Sequence, residues 1–304
     1  MLVIKYYNRH FERDDTDGIY FFDLNSEDPL KKIMNKHSEH ADIKYNSGFN
    51  KLLILNPSKE IINYDINTEI FTPIKLSYGN LLSLDCVENI LCIISHKYFI
   101  IYNFDGTTLT KFFKIENRTE YAIINPLNKN LILTSTSGKL VILYNIATGK
   151  IKSDQLYSYI VNILWFKNNI IIVLRTEIYI YDENLNYLKR KTIDLDNIVI
   201  RDIYSTPNNI IFYMDNFKIK ICDENFDIIK IIDCTLFDNI VSFPWINILA
   251  SEDNDEFFIN FLLKGGLMEI KVYKIKDDIL NTIKISDHSM FLLCYIKTSP
   301  LELW

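Results

Sequence analysis

Leu131 to Lys150 reads LILTSTSGKLVILYNIATGK, two apolar runs joined by one short turn and closed by another. Leu131-Ile132-Leu133-Thr134-Ser135 and Leu140 to Ile146 are rich in aliphatic and β-branched residues. Thr136-Ser137-Gly138-Lys139 and Ala147-Thr148-Gly149-Lys150 are turn compositions of the kind that join antiparallel strands. Upstream, Tyr121-Ala122-Ile123-Ile124 reads as a strand that turns at Asn125-Pro126-Leu127-Asn128. Downstream, a fourth strand starts near Ile151. Residues 120–157 therefore predict a four-stranded antiparallel unit. In its third strand Val141, Leu143 and Asn145 share one face, and Ile142, Tyr144 and Ile146 the other. Both faces are apolar, so the unit needs a packing neighbour on each side.

The ending of that third strand recurs along the chain. Short β-type runs end at Phe22, Tyr64, Tyr102, Tyr144, Tyr181, Cys222 and Tyr273, and in all but the last the next residue is Asp or Asn. The spacings are 42, 38, 42, 37, 41 and 51 residues. A four-stranded repeat of this period is the mark of a β-propeller. The reading is all-β, a seven-bladed propeller in a single domain over residues 1–304. Met290 to Ile296 is one strand left over after the seventh unit, and Leu2 to Tyr7 lacks a preceding inner strand. Pairing the C-terminal strand with the N-terminal blade would complete that blade and leave no bare edge.

Composition narrows the function classes. The net charge is −6, which makes nucleic acid an unexpected partner. The five cysteines, Cys86, Cys92, Cys222, Cys234 and Cys294, form no CxxC pair and mostly sit in apolar runs. They read as buried free thiols in a reducing compartment. Met1 to Lys5 turns polar too soon for a secretory leader, and no apolar stretch reaches the ~18 residues of a membrane span. The expectation is a cytoplasmic protein.

No catalytic signature appears: there is no nucleotide-binding glycine pattern, nucleophile elbow or zinc spacing. His37 and His40 lie three apart with no Cys or further His nearby. The acidic loops Asn8–Gly18 and Ser251–Glu256 lack the ligand spacing of a calcium site. The expectation is no enzyme, no metal and no cofactor. An active-site propeller would instead need carboxylates or histidines converging on its channel. The most functional-looking charge cluster is Lys189-Arg190-Lys191, on the outer strand of the fifth repeat. Three adjacent cations in an acidic chain can hold a phosphate. Lysines on an edge strand also discourage sheet-to-sheet pairing.

Two resemblances follow from these residues. Leu131 to Lys150 resembles a WD-repeat core in which Tyr144-Asn145 stands for Trp-Asp, although the Gly-His pair of that family is missing from every repeat. A WD-type propeller implies a scaffold whose rim and face loops dock other proteins. Narrower is the run Tyr98-Phe99-Ile100-Ile101-Tyr102-Asn103-Phe104, with Gly18 to Asp23 and Thr119 to Ile132. These stretches resemble the PROPPINs, seven-bladed phosphoinositide-binding propellers of autophagy. Leu188-Lys189-Arg190-Lys191 falls where that family has Phe-Arg-Arg-Gly. The resemblance implies that Lys189 and Arg190 each serve one rim phosphoinositide site, on a protein peripheral to membranes. The family's pocket histidine and long amphipathic loop have no counterpart, since Asp223 to Asp227 is a short turn. The other reading is a scaffold subunit of a different multiprotein complex (coat, nuclear pore, RNA-processing or ribosome-associated) without lipid binding.

Overall fold

The computed structural model describes residues 2–6, 18–22, 29–33, 42–56, 59–116, 118–136, 138–192, 199–236, 247–250, 255–262, 268–285 and 290–295. The expectations for His10, His37, His40, His288, the Asn8–Asp17 loop and residues 251–254 lie outside these residues, as does the side chain of Cys294.

The first strands are β1 (Leu2–Tyr6), β2 (Gly18–Phe22) and β3 (Pro29–Ile33). Then follow β4 (Asp42–Asn46), β5 (Lys51–Asn56), β6 (Glu60–Asp65) and β7 (Phe71–Lys75). Next are β8 (Leu81–Val87), β9 (Ile90–Ser95), β10 (Tyr98–Phe104) and β11 (Leu109–Glu116). The opening stretch of the sequence reading becomes β12 (Thr119–Ile124), β13 (Leu131–Thr136), β14 (Leu140–Asn145) and β15 (Lys150–Gln155). After it come β16 (Ile160–Phe166), β17 (Asn169–Leu174), β18 (Glu177–Asp182) and β19 (Tyr187–Thr192). The last strands are β20 (Ile200–Ser205), β21 (Ile210–Met214), β22 (Lys218–Cys222), β23 (Ile228–Asp233), β24 (Asn247–Ala250), β25 (Glu256–Leu262), β26 (Met268–Lys274), β27 (Ile279–Ile285) and β28 (Met290–Tyr295).

Among the described residues these strands form seven four-stranded sheets, six of them consecutive meanders. The seventh has the order β28-β1-β2-β3, with β28 antiparallel to β1 and Leu2 opposite Tyr295. The pairing of the two chain ends predicted from the sequence is therefore present. Every anchor position ends, or lies one or two residues from the end of, the third strand of its sheet. Two compact units divide the chain, one of residues 41–203 and 212–216, the other of 1–40, 204–211 and 217–304.

Within the first of these units the alternation of apolar side chains is resolved into separate cores. From β9 and β10, Leu91, Ile93, Ile100 and Tyr102 pack against Leu53, Leu55 and Ile61 of the preceding sheet. The intervening residues Cys92, Ile94, Phe99 and Ile101 pack the other way, against Ile124, Ile132, Ile142 and Tyr144. One residue along β14, Val141 and Leu143 join Ile163, Trp165, Ile170 and Ile172 of the next sheet. The β8–β11 and β12–β15 sheets are thus each a partition between two cores, which explains why their middle strands carry no polar face. Fully burying each such side chain stabilises by roughly 1.5–3 kcal/mol.

The Asp or Asn after four of the anchors has a local cause. Asp65 Oδ1 accepts from the Asn67 and Thr68 amides at 2.9 and 3.0 Å, Asn145 Oδ1 from Thr148 at 3.1 Å. Asp182 Oδ1 accepts from Asn184 and Asn186 at 2.9 and 2.8 Å, Asp223 Oδ1 from Asn225 and Asp227, both at 2.9 Å. The short side chain closes the turn into the fourth strand. Asn103 departs from this pattern: β10 runs on to Phe104, and Asp105 closes the turn through Thr107 and Thr108. A register shift recurs at the anchor itself, between Ile101 and Tyr102, Ile180 and Tyr181, and Ile221 and Cys222. Such bulges bend the outer strand away from its partner.

Hydrogen bonds also step from sheet to sheet at one-repeat separation. Asp42 accepts from the Leu84 amide at 2.9 Å, and Asp85 from the Ile124 amide at 2.8 Å. Asn46 donates to the Glu88 carbonyl at 2.6 Å, and Asn63 to the Gly106 carbonyl at 2.9 Å. Gly138 closes its hairpin at φ +69, and a β-carbon there would come 2.5 Å from the Tyr159 ring. The cores carry the main stabilisation. Leu133→Ala, at a fully buried site in the core between two sheets, is expected to cost about 2–5 kcal/mol in urea denaturation. Leu127→Ala, on an exposed turn, should stay within ~0.5 kcal/mol.

Candidate functional site

The cation run Lys189-Arg190-Lys191 lies on β19, as expected from the sequence, but its three side chains do not converge. Lys189 and Lys191 stand opposite Ile180 and Ile178, whereas Arg190 stands opposite Tyr179. Successive strand residues point to opposite faces, so Arg190 is separated from both lysines. Its guanidinium bonds to Tyr179 and lies 3.5 Å from Glu177 Oε1, and both neighbours raise its pKa. Outer strands elsewhere carry cations too: Lys75 on β7, Lys111 and Lys114 on β11, Lys150 and Lys152 on β15, Lys230 on β23. The run on β19 is the densest case of a pattern shared by these edges.

The Arg190 face contains a feature that the sequence reading passed over. Tyr157, Tyr179, Tyr187 and Tyr181 form a ladder of rings with successive centroid separations of 6.1, 6.0 and 5.8 Å. Tyr181 is buried, and its hydroxyl donates to Asp154 Oδ2 at 2.7 Å. Burial and that carboxylate push its pKa up. Tyr157 and Tyr187 are 59% and 55% exposed, and Tyr159 nearby in sequence is 63% exposed, with Lys139 Nζ 5.0 Å from its ring. A surface strip of tyrosines with one arginine is the side-chain type that dominates protein interfaces. Its sequence signal is Tyr157-Ser158-Tyr159, in the loop before β16 where apolar strand logic does not require aromatics.

Carboxylates and thiols are largely absorbed by the fold. Asp255 accepts from the Thr206 hydroxyl at 2.9 Å, from Asn208 Nδ2 at 2.6 Å and from Asn209 Nδ2 at 3.2 Å. The described end of that acidic loop is therefore structural. Burial opposes its ionisation, but these hydrogen bonds outweigh it and hold its pKa below the ordinary value. Asp85 shifts the other way: burial raises its pKa against the pull of Lys44, 3.5 Å away. Cys92, Cys222 and Cys234 are buried free thiols, and Cys86 is half-buried. Burial raises Cys92 well above the ordinary thiol value and Cys234 to about 12, which makes both poor nucleophiles. Among the described residues no group of three His, Cys, Asp or Glu is placed to hold a metal ion. No helix among them is long and apolar enough to cross a membrane.

The depressed pKa of Asp255 has a defined sign. Its stabilisation is present above the ordinary aspartate value of about 4 and is lost as pH falls through the lower folded value. Asp255→Asn should lower the thermal midpoint near neutrality, and the gap to the parent protein should close on acidification towards about pH 3. Midpoints read by circular dichroism across that range check this.

No protein-family profile matches the sequence, and no curated protein matches it. Solved structures do. The β-propeller domain of Cps50 (Swd1) from Myceliophteria thermophila superposes with a TM-score of 0.62 at 10% identity, covering 84% of this chain and 88% of that one. A chain of the mitotic checkpoint complex gives 0.65 at 10% identity, with coverage of 92% and 89%. Raptor from Chaetomium thermophilum gives 0.62 at 14% identity, over 82% of this chain and 24% of that larger one. Nothing in these similarities points to the phosphoinositide-binding family. Together with the repeated four-stranded meanders, they establish that this chain has the β-propeller fold.

Proposed function

We propose that this protein is a non-enzymatic scaffold that docks partner proteins on the outer surface of the β16–β19 sheet. The observation that carries the reading is the exposed tyrosine strip beside Arg190. Tyr157, Tyr159 and Tyr187 present wide apolar rings with hydroxyls at little conformational cost. Tyr157 and Tyr187 pack against Tyr179, which together with Glu177 orients the Arg190 guanidinium. Exposed rings of this kind cost little in the free protein and gain most when a partner excludes water from them. The structural neighbours support the reading, since one is a chain of a named multiprotein complex.

The finer reading, a PROPPIN-like adaptor holding phosphoinositides through Lys189, Arg190 and Lys191, is favoured by one observation. Lys189 and Arg190 face opposite sides of β19, the arrangement that two separate lipid sites would need. Against it, Glu177 stands beside Arg190 and would repel a phosphate.

The two readings separate experimentally. Quantitative affinity capture with the parent protein and with Tyr157→Ala/Tyr187→Ala should lose specific stoichiometric partners from the variant. A partner read through one such tyrosine should bind ~30-fold more weakly to the variant, equivalent to about 2 kcal/mol. An unchanged partner set removes the tyrosine strip from the interface. In flotation with vesicles containing phosphatidylinositol 3-phosphate, Lys189→Ala/Arg190→Ala should abolish salt-sensitive binding if the lipid reading holds. Recovery equal to that with neutral vesicles ends it.

A further inference from the structure

A second surface feature lies between the outer strands β7 and β11, away from both surfaces above. A cleft of about 200 Å³ opens there, with Lys75, Ser77, Tyr78, Tyr102 and Lys111 as its polar wall. Leu76 lies beneath them, its amide tied to the Lys59 carbonyl at 2.7 Å. Among the described residues no carboxylate lines the cleft. Lys75 and Lys111 are both exposed, and among the described residues neither is paired with an acidic group.

The backbone builds this arrangement. The register shift between Ile101 and Tyr102 leaves Phe112 as the extra residue on β11, so that Lys111 rather than Phe112 stands opposite Tyr102. Without the bulge an exposed phenyl ring would sit at that position. Lys111 Nζ reaches to 3.5 Å from the Tyr78 hydroxyl. Tyr78 is itself fixed against Tyr98, with ring centroids 5.3 Å apart. A third cation, Lys114, lies 3.6 Å from the Tyr98 centroid and 4.6 Å from that of Tyr78. A protein of net charge −6 thus places two ammonium groups in the wall of one cleft, with a third, Lys114, on the tyrosine rings beside it.

We propose that this cleft binds a phosphate monoester. Its wall offers donors: two ammonium groups and three hydroxyls. Burial, and Tyr78 beside it, push the Tyr102 pKa up to about 12, so its hydroxyl keeps its proton at neutral pH. A phosphate monoester carries close to two negative charges and three terminal oxygens, which matches two lysines and several hydroxyl donors. A carboxylate has one charge and two oxygens, and leaves part of that set unused. The proposal is independent of the tyrosine strip and of the β19 cations, because no residue is shared with either.

Calorimetric titration with inorganic phosphate, O-phosphoserine and inositol 1-phosphate, with acetate at matched ionic strength as reference, tests it. Saturable binding of phosphate but not acetate is expected, and the tighter of the two organic esters identifies which carrier the cleft takes. Lys75→Ala and Lys111→Ala should each weaken binding about tenfold, the scale of one charge-assisted hydrogen bond. Lys150→Ala, on an outer strand away from the cleft, should retain full affinity. The substituted lysines are exposed, and an unchanged thermal midpoint verifies folding. Equal affinity for acetate, or phosphate binding unaltered in the Lys75→Ala/Lys111→Ala double variant, would overturn the proposal.

Discussion

The constraint on which the described structure depends is that the sheets are buried on both faces. Ile93 and Ile94 are neighbours in the chain, yet they belong to different cores. A sheet of this kind cannot exist alone, because leaving either face wet would forfeit tens of kcal/mol of apolar burial in aggregate. It must be flanked, and its neighbours must be flanked in turn. The recurrence of the anchor residues at a near-constant period is the sequence trace of that requirement. Apolar residues on both faces also leave little room for chemistry inside the stack. Both surfaces singled out above lie on outer strands, turns and the loops between sheets.

The acidic residues illustrate how far the fold consumes its own polar groups. Asp65, Asp105, Asp182 and Asp223 each close a turn, and Asp42 and Asp85 tie one sheet's first strand to the next. Backbone amides in tight turns would otherwise face solvent or go unmatched, and a carboxylate two to four residues upstream satisfies them in pairs. These six carboxylates are thus structural in use. Cations are distributed differently, concentrated on the exposed outer strands, where they also keep open edges from pairing with other molecules.

How much of this is legible in the sequence follows from the same physics. The third strands and the pairing of β28 with β1 can be read because continuous β-branched runs, a fixed period and a left-over strand leave few arrangements. The role of Asp65, Asn145, Asp182 and Asp223 after their anchors is legible only as a recurrence; its cause, turn closure, needs coordinates. Lys189, Arg190 and Lys191 are conspicuous because they are adjacent in sequence, yet adjacency on a strand sends neighbours to opposite faces. Lys75 and Lys111 are inconspicuous because they are 36 residues apart, close to one repeat, and meet only when two outer strands stand side by side. The tyrosine ladder draws on three separate segments and has no linear motif beyond Tyr157-Ser158-Tyr159.

The pairing of Leu2 with Tyr295 has a consequence for how the chain is made. Strand β1 is synthesised almost three hundred residues before its partner β28. At 5–20 residues per second that delay is about 15–60 s. Throughout it, one edge of the β1–β3 sheet has open amides and carbonyls and no native neighbour on that side. The later sheets can form in order as they emerge, each meander closing on local contacts. Of the seven sheets, that of β1–β3 alone starts before the others and is completed after them, so during synthesis the exposed edge of β1 is the place most open to misassembly.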